Sequence, residues 1–200
     1  MHTQPQQTLT DVRTVLQQFQ DGYSRRETLQ LDEFMKLFAS GWNVEMIGTG
    51  AVTPGDEDWA LNLPAVRNLI ESDWIYWGDV QLDVEGARVL VHGETAWITT
   101  RGTVTRNLKA ETSYQNTLDT IQQTLKQREE LLPEERLLEV LRTGMAAVYE
   151  ARKGDEYIWP LRFTAVLVQQ GSSWRFAQVQ FSFATKRFPD VRQKAAKNRG

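Results

Sequence analysis

The stretch from Trp159 to Ala184 constrains this chain most, because its side chains alternate through two strands on either side of a short polar turn. Leu161, Phe163, Ala165 and Leu167 alternate with Arg162, Thr164, Val166 and Val168, and after Gln170-Gly171-Ser172-Ser173 the alternation resumes at Trp174. A period of two sends successive side chains to opposite faces, so the pattern predicts a long β-hairpin. Both faces carry apolar residues. One layer of packing would leave one of them in water, so the sheet needs helices on one side and a second subunit or more chain on the other. In the second strand Ala177, Val179, Phe181 and Phe183 are uniformly apolar and are read as the cavity face. The mixed set Trp174, Phe176, Gln178, Gln180 and Ser182 then suits a dimer interface, where polar groups find partners across the boundary.

Upstream, Leu9, Val12, Val15, Leu16, Phe19 and Tyr23 recur at helical spacing, and Thr8 with Asp11 has the form of a capping box. A short second helix is predicted from about Asp32, with Phe34, Leu37 and Phe38 inward and Gly41 at its end. Trp42, Val44 and Met46 then alternate as a strand. The composition of Gly48 to Asp58, rich in glycine and acids, marks a loop, and Trp59 to Trp77 reads as mostly helical. From Asp79 the period returns to two, with turns near Glu85-Gly86 and Gly93-Glu94, predicting a meander that runs to Thr105. Residues 107–156 interrupt it. Leu118, Ile121 and Leu125 share one helical face, Pro133 suits a helix first turn, and Leu137, Leu138, Leu141, Met145 and Val148 continue at helical spacing. This is a helical hairpin inserted between two strands.

The chain of 200 residues, 40% hydrophobic, is long enough for one well-buried core, and no Pro/Gly/Ser-rich linker divides it. The reading is a single domain over 1–184, with the helical insertion at 107–156 and a basic, disordered tail at 185–200. With no cysteine, disulfide and thiolate chemistry are excluded. The start from Met1 to Thr10 is polar and Gln-rich rather than signal-like, and no apolar run reaches the ~18 residues of a membrane span, so a cytoplasmic protein without a membrane partner is expected. A net charge of −3 gives no reason to expect nucleic acid. The tail residues Lys186, Arg187, Arg192, Lys194, Lys197 and Arg199 read as a solvated end.

The order helix, helix, strand, helix and antiparallel meander resembles the nuclear-transport-factor-2-like superfamily, particularly its SnoaL-like branch. Met46-Ile47-Gly48-Thr49-Gly50 is similar to that branch's first strand ending, and Glu94-Thr95-Ala96-Trp97 to its central strand. Arg162-Phe163-Thr164-Ala165-Val166-Leu167, followed by Trp174 and Gln180-Phe181-Ser182, resembles its terminal hairpin. Many relatives have histidine where Gln180 stands. The resemblance implies an α+β fold, a cone-shaped curved antiparallel sheet packed on N-terminal helices, acting as a homodimer. It also implies a deep apolar pocket between the first helix and the sheet. The residues assigned to it are Phe19, Tyr23, Met46, Trp59, Val179 and Phe181, with Arg162 and Thr164 at the rim.

Chemistry is harder to place. Ketosteroid isomerase, of the same superfamily, uses a general-base Asp and an oxyanion hole of a Tyr and a protonated Asp. Carried over by position, these roles fall at Met46, Thr164 and near Phe19. A thioether and a phenyl ring cannot shuttle protons at neutral pH. Gly48-Thr49-Gly50 lacks the third glycine of a dinucleotide loop, and with only His2 and His92 a metal or Ser-His site has no support. No cofactor and no metal are expected. The leading expectation is binding of a small hydrophobic or carboxylate-bearing molecule, with the Arg162 guanidinium forking onto a carboxylate or pairing with Glu156 or a loop acid. Two alternatives are a polyketide-cyclase or isomerase type of enzyme using Glu45, Asp56 or Glu57, and an interaction module that uses the inserted helices. A cavity filled by Trp59, Trp97 and Phe181 would favour the latter.

Overall fold

Helix α1 (Gln6–Arg25) buries Val12, Leu16, Phe19 and Tyr23 completely, one per turn along a single face. A computed structural model of the chain describes residues 6–25, 30–41, 43–56, 58–107, 110–127, 132–151, 156–183 and 193–194. α1 is already helical at Thr8, so Asp11 pairs with Gln7 Nε2 at 2.8 Å rather than closing a capping box with Thr8. α2 (Leu31–Met35) turns Leu31, Phe34 and Met35 inward. Strand β1 (Glu45–Ile47) buries Met46 and leaves Glu45 and Ile47 half-buried on the other face. Trp59 and Ala60 are not helical. They form β2 (Trp59–Ala60), antiparallel to β1 with Trp59 opposite Ile47. Helix α3 (Leu63–Tyr76) starts only after Asn62, whose Oδ1 accepts from Ala65 N at 2.9 Å, with a proline in the first turn.

Three strands follow where a meander was expected, β3 (Asp79–Leu82), β4 (Arg88–His92) and β5 (Thr95–Asn107), but the order is not that of a meander, because β3 and β4 both lie along β5. Helices α4 (Ala110–Gln127) and α5 (Pro133–Ala151) come next and pack on each other. The terminal hairpin is β6 (Glu156–Gln170) and β7 (Ser173–Phe183), closed at Gly171, whose φ of 63° is a left-handed conformation natural to glycine. Of the basic tail, Gln193 and Lys194 form β8 (Gln193–Lys194) against Ile158 and Tyr157; the rest of that segment, like Glu57 and His2, lies outside the described residues. The strands form one open sheet in the order β2-β1-β7-β6-β5-β3, with β4 on β5 and β8 on β6. β1 runs antiparallel to β2 and parallel to β7, and the β4–β5, β6–β7 and β6–β8 pairings are antiparallel. The chain separates into two compact units: Met1–Val104 with Trp159–Arg192, and Thr105–Ile158 with Gln193–Gly200.

A bulge in β7 redirects its faces. Val166 stands opposite Gln178, but the next residue of β6, Leu167, stands opposite Phe176, so Ala177 is an extra residue in the ladder. The inner face is therefore Trp174 and Phe176 before the bulge and Val179 and Phe181 after it, all buried. This corrects the expected faces. Trp174 and Phe176 lie inside this chain's own core, so their burial asks for no second copy. The bulge also divides the strand edge: Leu37 and Ala39 hydrogen-bond to Phe176, while β1 pairs with residues 178–180.

Two polar side chains of α1 fasten the opposite side of the sheet. Gln20, 5% exposed, donates to Val80 O at 2.7 Å and accepts from Leu82 N at 2.5 Å, completing backbone groups of β3. Arg13 donates to the carbonyls of Val84, Glu85 and Ala87 at 2.6, 2.9 and 2.8 Å, holding the β3–β4 turn.

Candidate functional site

Five of the eight residues assigned to the pocket do meet, under α1 on the inner face of the sheet. Met46 stands opposite Val179, and Phe19 lies 5.0 Å from Tyr23, 5.3 Å from Phe163, 5.1 Å from Phe176 and 6.1 Å from Phe181, ring centre to ring centre. Phe181 in turn lies 5.6 Å from Tyr23 and 5.0 Å from Trp77. Spacings of this kind are direct aromatic contacts. Phe19, Tyr23, Met46, Val179 and Phe181 thus pack on one another and are at most 1% exposed. A hydrogen bond ties the cluster to α3, from Tyr23 Oη to Asp73 Oδ2 at 2.8 Å.

Trp59, Arg162 and Thr164 belong to the other face. Thr164 stands opposite Gln180 and Arg162 opposite Ser182, one position out of step with buried Phe163 and Phe181, so the pleat sends them away from the aromatic cluster. Arg162 is exposed, and its Nη2 donates to Phe183 O at 2.6 Å. It borders a shallow hollow of about 530 Å³ with Thr164, Thr99, Arg101 and Asp83. The Gly86 N–H and the Arg101 guanidinium hold the Asp83 carboxyl below its ordinary range there. Trp97, 44% exposed, fills no cavity.

The acids considered for catalysis are engaged in structure. Glu45, on the outer face, takes the Trp59 indole N–H at 2.6 Å. Asp56 accepts from Val52, Thr53 and Asp58 N–H groups at 2.7, 2.9 and 3.0 Å, and these backbone donors hold its carboxyl below the usual range. Asp58 Oδ2 takes Gly50 N at 2.8 Å. Both aspartates organise the 48–58 loop rather than standing free to move a proton. Among the described residues no group of His, Cys, Asp or Glu could hold a metal ion, and no helix is long and apolar enough to cross a membrane.

A groove of about 510 Å³ opens where α1, α2 and α3 meet the start of β7. Phe34, Leu37 and Trp74 give it apolar walls, and Gln18, Asp21, Glu33, Lys36 and Arg175 are its polar residues. Lys36 pairs with Glu33 at 2.6 Å, and Arg175 Nη1 donates to Lys36 O. Trp74 is 6% exposed, and its buried indole N–H meets no acceptor among the described residues. Such a donor gave up its water without replacement, a cost of about 1–3 kcal/mol. Behind the groove Phe34 touches Phe19 and Tyr23, at 5.4 and 5.9 Å, so one ring separates it from the aromatic cluster. The sequence reading missed this site, because tryptophans on an amphipathic helix read as core. Arg175 gave no sign of it either, since straight alternation with Trp174 and Phe176 on the interface face turns it inward.

No protein-family model matches the sequence, and no curated protein matches it. Solved structures do. An NTF2-like family protein from Streptomyces avermitilis, provisionally assigned as a dehydratase, matches with a TM-score of 0.57 and 11% identity, over 90% of this chain and 99% of that one. An NTF2-like superfamily protein from Salmonella enterica matches with a TM-score of 0.55 and 10% identity, over 93% of this chain and 99% of that one. An NTF2-like protein of unknown function from Pseudomonas putida gives 0.53 and 9%, over 92% and 93% of the two chains.

Proposed function

From the nuclear-transport-factor-2-like fold that this chain adopts, we propose that it binds a small apolar molecule carrying an oxygen acceptor, seated in the groove of Phe34 and Trp74. The observation that carries this is the buried Trp74 indole N–H without an acceptor. A ligand oxygen that displaces the side chains covering this nitrogen would recover the missing hydrogen bond, and the apolar walls would take the body of the ligand. A carboxylate could take Arg175, although Asp21 and Glu33, the latter paired with Lys36, oppose it from the same wall. Titration of the full chain with laurate, followed through the indole N–H signals of a ¹⁵N-labelled sample, tests the reading. The Trp74 signal, identified by its loss in Trp74→Phe, should move most. That variant should bind laurate more weakly by about 1.5–3 kcal/mol, the worth of a hydrogen bond to a charged group, or roughly ten- to hundred-fold. An unmoved Trp74 signal with unchanged affinity would refute the site.

A second reading, acid–base catalysis, is favoured by the Tyr23–Asp73 bond beside buried rings. A phenol hydrogen-bonded to a carboxylate can lend or take a proton at a carbonyl-bearing substrate. The Streptomyces neighbour's provisional assignment makes dehydration of a β-hydroxy carbonyl compound the reaction to try first. Turnover unaffected by Tyr23→Phe would remove this reading.

A further inference from the structure

Helix α5 leaves a face in water that ligand binding does not use. Leu137, Leu138, Leu141, Met145 and Val148 are 59, 50, 54, 71 and 57% exposed. At about 100° per residue the five fall within one arc roughly 100° wide, while half-buried Val140, Thr143 and Ala147 fall on the adjacent side. Leu138, Leu141, Met145 and Val148 also follow the three-four-three spacing of a coiled-coil seam. A scattered exposed leucine needs no explanation; a continuous stripe does.

We propose that this stripe is covered by the same stripe of a second copy of the chain, with the two α5 helices antiparallel about Thr143. The area decides for a second copy. Five side chains at least half exposed leave on the order of 500 Å² of apolar surface, near the top of the range for a monomer's largest patch. Facing its own copy, the stripe buries on the order of 1,000 Å² in total, the threshold for a specific interface. Tyr114, Leu125 and Leu132, each more than half exposed on the same hairpin, leave further apolar surface for a partner to cover. Charge decides the direction. A parallel pair would set Glu134 and Glu135 in the first turn of α5 beside their own copies, and an antiparallel pair separates them by the length of the stripe. Antiparallel pairing about Thr143 also matches Leu138 with the partner's Val148 and Leu141 with the partner's Met145, a self-complementary seam.

The full chain measured by light scattering at micromolar concentration should be a dimer, and Leu141→Glu should make it a monomer with unchanged helix content. Because the chain has no cysteine, Leu141→Cys and Met145→Cys variants report geometry cleanly. Mixed together under mild oxidation, they should cross-link several-fold faster than either alone. A monomeric wild type, a dimer that survives Leu141→Glu, or fastest cross-linking by Leu141→Cys alone would each overturn the proposal. So would a wild type that stays monomeric in solution and binds phosphatidylcholine vesicles through the stripe.

Discussion

A methyl group added at Gly22 tests whether Phe34 is the wall between the groove and the aromatic cluster. In the interior of a helix, glycine to alanine ordinarily stabilises by about 1 kcal/mol, because alanine loses less backbone entropy. Here the sign should reverse. A Cβ at Gly22 would stand 2.2 Å from Phe34 Cδ2 and 2.3 Å from Cε2, far inside contact distance. Phe34 is 6% exposed and is held by Phe19, Tyr23, Phe38 and Trp74, with ring centres 5.2 to 6.1 Å away, so it can yield only toward the groove, and only by giving up these ring contacts. Overpacking of this kind costs about 1–3 kcal/mol, and expelling the ring altogether costs about 3–5 kcal/mol, as in a Phe→Ala change. Set against the helical gain, Gly22→Ala should destabilise the protein by about 1–3 kcal/mol. Urea unfolding at unchanged slope measures it. In a Phe34→Ala background the obstruction is gone, and the same substitution should stabilise by about 1 kcal/mol, giving a coupling of about 2 kcal/mol or more. If Gly22→Ala stabilises the parent as it does the Phe34→Ala variant, the two residues are not in contact and the wall is misassigned.

Gln20→Met, which keeps the length of the side chain, leaves Val80 O and Leu82 N of β3 unpaired beneath α1 and should cost about 2–4 kcal/mol in a thermal or urea melt; a loss under 1 kcal/mol would mean that water replaces the amide. The backbone N–H groups that bond Asp56 hold its folded-state pKa below the ordinary carboxylate value of 3.8, so the order it gives the 48–58 loop is fully present above that value and is lost as pH falls through the folded-state pKa. Protection of the Val52 and Thr53 amides, taken relative to their intrinsic exchange rates, should fall over that acid range in the parent, whereas Asp56→Asn, which loses the charge and cannot accept on both sides of the carboxylate, should show reduced protection already at neutral pH.

The fold was legible because its signals are periodic and redundant. In α1, Val12, Leu16, Phe19 and Tyr23 repeat one face through several turns, and no other arrangement buries all four. The strands of residues 79–107 and the terminal hairpin were legible for the same reason with a period of two, but not that β3 and β4 would both lie along β5. What failed was short. Trp59 and Ala60 are a two-residue strand, too brief for any alternation, and their place is set by pairing with β1, a contact that local sequence does not encode.

The site was less legible, and the reason is the bulge. Alternation counted straight through β7 assigns Trp174 and Phe176 to the face opposite Phe181, and that count is correct for a regular strand. One extra residue at Ala177 returns them to the core, and nothing in Phe176-Ala177-Gln178 announces it, since alanine carries none of the signals of a glycine bulge. Two consequences follow from that residue. Trp174 and Phe176 cease to be an interface, and Arg175 between them points out at the groove instead of in. Arg162 shows the converse: its strand is regular beside Ser182, so its alternation was read correctly, but the face it shares with Thr164 turned out to be the outer one. A face is a relative assignment within a strand, and only the helices that cover it make it inner or outer. Here the rings of Phe19 and Tyr23 choose Phe163 and Phe181, and that choice moves the ligand reading from the middle of the sheet to the helix-lined groove where Trp74 keeps an unspent donor.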